Sequence, residues 1–168
     1  MLPQDADLTG AFFRDLPAAS RYDRFLSPMR SLPPDLLARF THIDYADHLA
    51  LVAEVFADGR ETVIAEARYV RGEDKSSAEF AVSVADAWQG KGLASLLLAK
   101  LACRAGSNGI ARMHGETLAG NARMLHLARK AGFTILPSPD IRGLMLLEKV
   151  VPALPPERGC GEARSAGL

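Results

Sequence analysis

Residues 80–105 read as a strand, a glycine loop and a helix in that order, and chemistry can concentrate at the junction. The loop is Trp88-Gln89-Gly90-Lys91-Gly92. A helix leaves its first amide N–H groups unpaired, and its aligned peptide dipoles add positive partial charge there. Gly90 and Gly92 would let a diphosphate approach those amides closely, and Lys91 could add a cation. Taken alone, Gly-x-Gly fits an ordinary strand-to-helix turn better. Ser95 breaks a full GxGxxG and no Walker loop is present, which disfavours a dinucleotide or a nucleoside triphosphate. Carboxylates stand nearby. Glu79 opens the strand whose alternate residues Phe80, Val82 and Val84 face the core, so Glu79 points the other way. On the strand expected over 110–118, His114 and Glu116 share one face by the same alternation. A positioned carboxylate can take a proton from an attacking group, worth about 10²–10⁴-fold. These positions read equally as solvent-facing polar residues.

The elements that must hold these residues follow from periodicity. Residues 5–40 read as three helical pieces punctuated by Pro17, Pro28 and Pro33-Pro34. Residues 49–56 and 62–70 are strand-like, with Asp58-Gly59 as a hairpin signal between them. Residues 93–105 carry Leu93, Leu97 and Leu101 on one helical stripe. A strand over 110–118, a helix over 121–131 with Gly132 at its C-terminal end, and strands over 133–136 and 144–151 complete the order. From Pro152 onward proline, glycine and charge dominate, so 1–151 is expected to be one domain and 152–168 a flexible tail.

Size and charge narrow the classes. The 168 residues suffice for one core without metal or disulfides. Lys and Arg number 20, Asp and Glu number 20, so no bulk charge draws the chain to nucleic acid or anionic lipid. Any anionic ligand must be caught locally. Cys103 and Cys160 form no CxxC pair, no zinc spacing with histidine, and no disulfide framework by sequence reading. The first residues lack a signal-peptide layout and no apolar run of membrane-spanning length occurs, which makes the cytoplasm the default.

Two motifs then carry a family resemblance. Gln89-Gly90-Lys91-Gly92-Leu93-Ala94 resembles the Q/R-x-x-G-x-G/A signature of the GNAT superfamily of acyl-CoA-dependent N-acetyltransferases. Downstream, Asn121 to Phe133 resembles that family's N-x-x-x-x-x-L-x-x-K-x-G-F motif, in the right order and at the right separation. More narrowly, Ser20-Arg21-Tyr22, Arg24-Phe25, Ser27-Pro28 and Ile43-Asp44-Tyr45 look like the catalytic domain of bacterial Pat-type protein lysine acetyltransferases.

The resemblance implies an α/β (α+β) fold: a mixed, mostly antiparallel sheet with two splayed parallel strands and helices on both faces. It implies acetyl-CoA as co-substrate and no metal. The pantetheine arm would enter the splay beside Val82 and Val84, with the Val82 amide as the oxyanion donor. The diphosphate would sit on the amides of Gly90, Lys91, Gly92, Leu93 and Ala94, next to Gln89. Asn121 would bond near the pantetheine, or simply cap its helix. A lysine-like amine must first lose a proton, at about 4 kcal/mol near neutral pH. Glu79, which matches the Pat-type glutamate, is the first candidate base and Glu116 the second. The family often places a tyrosine acid where Ala128 stands here, which leaves the acid unassigned. The family also opens with a strand that residues 1–4 could supply only as a stub, unless the true start lies upstream; an exposed edge there would suit a homodimer. The acceptor is expected to be a protein lysine, with a small amine (polyamine, amino acid or aminoglycoside) close behind. A non-catalytic acyl-CoA-binding module is the rival class.

Overall fold

The computed structural model describes residues 5–57, 59–154 and 160. Three short helices come first: α1 (Ala6–Asp15), α2 (Ala18–Phe25) and α3 (Pro34–Thr41). Pro17 and Pro33 stand just before the second and third, where a missing N–H costs nothing. The strands are β1 (His48–Ala57), β2 (Arg60–Arg71), β3 (Ser77–Val84), β4 (Arg112–Leu118), β5 (Thr134–Pro137) and β6 (Leu144–Val150). Helix α4 (Leu93–Ser107) crosses between β3 and β4, and α5 (Ala122–Lys130) lies between β4 and β5. Residues 1–4, on which the expected strand stub falls, and most of the tail from Pro152 onward lie outside the described residues.

The six strands form one sheet in the order β1-β2-β3-β4-β6-β5. Every neighbouring pair is antiparallel except β3 and β4, which run parallel. Gly59, at φ 74°, supplies the left-handed residue that the β1–β2 turn demands; Asp58 beside it is not described. Alternation sorts the side chains to two faces. Tyr69, Ala78, Phe80, Met113 and Leu147 pack with Leu97, Leu98 and Leu101 of α4 and Leu125 and Ala128 of α5. The other face packs Phe12 and Phe13 of α1, Leu16 just after it and Phe40 of α3 against Val63. Helices therefore cover both faces, as the sequence led one to expect.

The second face also holds a buried ion pair, Arg68 to Glu66, on β2. The Arg68 guanidinium lies 3.4 Å above the Phe40 ring, and Arg24 of α2 stands 4.9 Å from Phe25 and 5.6 Å from Phe40. Aromatic faces are among the few apolar surfaces that welcome a desolvated guanidinium.

One expectation is corrected. Cys103 of α4 and Cys160 are joined by a disulfide across 57 residues of sequence. No local spacing announces such a pair, because only the packing of the segment after β6 against α4 brings them together. Among the described residues no helix is long and apolar enough to cross a membrane.

Candidate active site

The parallel strands β3 and β4 share register at only three positions: Ser77 with Arg112, Ala78 with Met113, and Glu79 with His114. Beyond Glu79 the strands diverge, β3 running on to Val84 and β4 to Leu118 without pairing to each other. At the apex Gly115 faces Phe80, and a Cβ there would meet the Phe80 ring at 2.9 Å and its carbonyl oxygen at 3.0 Å. Only glycine lets the two strands meet so closely at that point.

The wedge opens into a cleft of about 1230 Å³. Phe80 to Val84 wall one side, Gly115 to Thr117 the other, and Gln89, Gly90, Gly92, Leu93 and Ala94 lie at its far end. Ser83 and Thr117 are among its lining residues, and their hydroxyl oxygens, on opposite faces of the sheet, are buried without a hydrogen-bond partner. Buried polar atoms are rarely left so.

The glycine loop is preset for close approach. Gly90 and Gly92 take φ 74° and 83°, and a Cβ at either would meet nothing within 4 Å. Gly92 caps α4 from the left-handed region, and no side chain caps the first amides of the helix. Gln89 ties the loop to both walls. Its side-chain amide donates to the Val84 carbonyl at 3.1 Å and to Asp86 at 3.2 Å, and its oxygen accepts from Arg123 of α5. Asp86 also accepts from Ser20 of α2 at 2.8 Å. Lys91 is not among the lining residues; its Nζ lies 4.5 Å over the ring of Trp88, which is. The side-chain oxygen of Asn121 accepts from the Met124 amide at 3.0 Å, so it caps α5, and the residue also lines the cleft.

Glu79 and Glu116 are both exposed, lie on the same face of adjoining strands and line the cleft. His114, on that face too, does not line it. Ala128 is fully buried in the core. Sequence reading missed several lining residues: Asp23 of α2, Asp86 after β3, and Arg123, His126 and Lys130 of α5. Ser20 and Arg24 were visible only as part of a family pattern, since helix periodicity places residues on a face without saying what the face meets. Burial holds the Arg24 guanidinium below its ordinary range, with Glu66 and Glu79 opposing the shift and Arg68 adding to it. The Nε of Arg24 is shielded from water without a hydrogen-bond partner.

Asp23, Glu79 and Glu116 stand toward α2 and the strand apex, with the Arg24 guanidinium among them, whereas Arg123 and Lys130 stand on α5 and Asp86 lies by the glycine loop, bound to Gln89. Among the described residues no group of three or more His, Cys, Asp or Glu is clustered to hold a metal.

The model of the acetyltransferase (GNAT) family matches residues 13–133. The acetyltransferase PA5475 of Pseudomonas aeruginosa is 33% identical over 137 residues, 82% of this chain and 74% of that protein. The acetyltransferase Pat of Mycolicibacterium smegmatis is 34% identical over 133 residues, 79% of this chain but only 39% of that longer protein. Among solved structures, the GNAT domain of S. lividans PAT superposes with a TM-score of 0.81 at 34% identity, covering 89% of this chain and 87% of that one.

Proposed function

Because the chain belongs to the GNAT acetyltransferase family, we propose that it moves an acetyl group from acetyl-CoA directly to a primary amine, with a protein lysine as the preferred acceptor. The wedge between β3 and β4, ending at the glycine-lined start of α4, carries this reading. An extended, amide-bearing arm fits between two strands whose facing edges are unpaired beyond Glu79. A diphosphate at the far end would meet the amides of Gly90 to Ala94, with Arg123 and Lys130 nearby. These positions, with Val82, Val84, Gln89, Leu93 and Asn121 around them, form the proposed carrier site.

The opposite end of the cleft suits the amine. Carboxylates Asp23, Glu79 and Glu116 draw an ammonium group, and Glu79 is the proposed base that removes its proton, directly or through water. Glu116, two positions beyond His114 on β4, is the second candidate. The neutral amine attacks the thioester carbonyl, and the Val82 amide steadies the oxygen that gains charge. The carbon–sulfur bond then breaks and the acetyl group stays on nitrogen. With Ala128 in the core, no tyrosine on α5 protonates the departing sulfur. A thiol pKa of about 8.5 makes thiolate a tolerable leaving group, and water can protonate it. Lysine is preferred over small amines because residues 20–28 and 43–45 resemble Pat-type protein lysine acetyltransferases.

A crystal structure with acetyl-CoA tests the placement. The pyrophosphate is expected on the amides of residues 90–94 and the acetyl group between β3 and β4. A carrier lodged anywhere else would remove the reading.

A further inference from the structure

The segment after β6 is fastened to the C-terminal end of α4, and the disulfide is one of several attachments there. Val151 donates its amide hydrogen to the Ala111 carbonyl at 2.8 Å, holding the chain beside the loop that follows α4. The Pro152 carbonyl oxygen then occupies the space a side chain at Gly106 would need: a Cβ there would stand 2.4 Å from it. Leu154 donates to the Gly106 carbonyl at 3.4 Å. The hydroxyl of Ser107 lies 3.9 Å from the Cys160 sulfur. Cys103, Gly106 and Ser107 are spaced three and four apart, so they form one face of the helix. The whole attachment follows that face. Both cysteines are partly exposed, so a small thiol can reach the bond.

We propose that Cys103 and Cys160 are a site of reversible thiol–disulfide exchange with low-molecular-weight thiols and their disulfides, and that the oxidised form latches the segment after β6 onto this face of α4. The exchange balances with a small disulfide as oxidant. One cysteine thiolate attacks a sulfur of the small disulfide, releasing one small thiol and leaving a mixed disulfide. The second cysteine attacks the protein sulfur of that mixed bond and releases the second small thiol. The two protein sulfurs lose two electrons and two protons, and the two released thiols carry them. Reduction runs the same steps backward. The non-covalent contacts through Gly106 hold the partners near each other, so the intramolecular step outruns capture by solvent thiol. Because Cys103 lies ten residues beyond Leu93, about 15 Å along the helix, the latch acts at the opposite end of α4 from the glycine loop.

The test uses the full chain equilibrated in buffers of graded reduced-to-oxidised glutathione ratio, acid-quenched, alkylated and digested with trypsin. The sequence places Cys103 in the tryptic peptide 101–104 and Cys160 in 159–164. These two peptides should appear disulfide-linked under oxidising ratios and separately alkylated under reducing ones, with smooth interconversion. The oxidised protein should melt about 5–10 °C above the reduced one. Cys160→Ser should abolish that difference and melt like the reduced protein, with acetyl-CoA affinity unchanged. Gly106→Ala keeps both thiols but displaces the Pro152 carbonyl, and should slow formation of the linked pair several-fold. The proposal is overturned by any of these results: no linked peptide at any ratio, glutathione adducts in its place, a bond that resists reduction in the native chain, a melting temperature indifferent to redox state, or pairing in Gly106→Ala as fast as in wild type.

Discussion

Glu79 stands at the last register position where β3 and β4 still pair, with the open wedge immediately beyond it. That position puts the proposed base beside the mouth of the wedge, with Glu116 as the second candidate on the adjoining strand. Glu79→Gln keeps shape and hydrogen bonding but cannot accept a proton. It should lower kcat by about 10²–10⁴-fold while acetyl-CoA affinity by calorimetry stays near wild type. Unchanged turnover would move the role to Glu116, whose own Gln variant is the matching control. A second titratable residue matters for stability. Burial, reinforced by the adjacent Arg68 guanidinium, lowers the His48 imidazole to about 4 from its ordinary 6.5. Between those values the unfolded chain binds a proton that the folded chain refuses, so stability should fall as pH drops from 6.5 toward 4. Discounting for its partial exposure, the loss attributable to His48 is roughly 1–2 kcal/mol. Melting curves of wild type and His48→Gln across that range check it, the variant showing the flatter profile. Residue chemistry was partly legible in the sequence. Alternation put His114 and Glu116 on one face of their strand and turned Glu79 from the core on its own, but it could not say that His114 stays outside the cleft, because that depends on where the strands part.

The elements around the site act through their ends. α4 begins at a left-handed glycine and finishes beneath the chain that leaves β6. At its start, Gly92→Val places a β-branched side chain at φ 83°, a conformation costing about 1–2 kcal/mol for an L-residue. The added methyls also fill space that a diphosphate would use. Acetyl-CoA affinity should drop at least tenfold by calorimetry, with a modest fall in melting temperature; wild-type affinity would refute the loop assignment. At the strand apex, Gly115→Val would collide with the Phe80 ring and carbonyl, and should cost both stability and carrier binding. Thermal melts and calorimetry on that variant read the two losses separately. The elements themselves were readable, because apolar periodicity, proline and the turn residues agreed at each boundary. The α5 terminus is a case in point: Gly132 takes φ 79°, and Phe133 donates back to the Ala128 carbonyl at 2.9 Å. What periodicity could not reveal is how few positions β3 and β4 share, since parallel pairing leaves no local signature.

Across the whole molecule, two long-range features were invisible in a neutral composition. The first is the gathering of charged side chains along the cleft from residues more than 100 positions apart in sequence, such as Asp23 and Lys130. Glu79 and Glu116 at the strand apex suit a cationic acceptor, and Arg123 beside Gln89 suits an anionic carrier. The second is the ring closed between Cys103 and Cys160, spanning 57 residues. In the chain-entropy picture such a ring restrains the unfolded state by roughly 4 kcal/mol. Both features depend on which distant segments the fold brings together. The central claim, direct acetyl transfer to an amine, is tested most directly by following free thiol and acetylated product in one reaction with acetyl-CoA, across lysine peptides, polyamines and amino acids. The account predicts one thiol freed for each acetyl group gained, fastest with a lysine peptide and collapsing in Glu79→Gln. Saturable acetyl-CoA binding that yields neither thiol nor acetylated amine with any acceptor would contradict it.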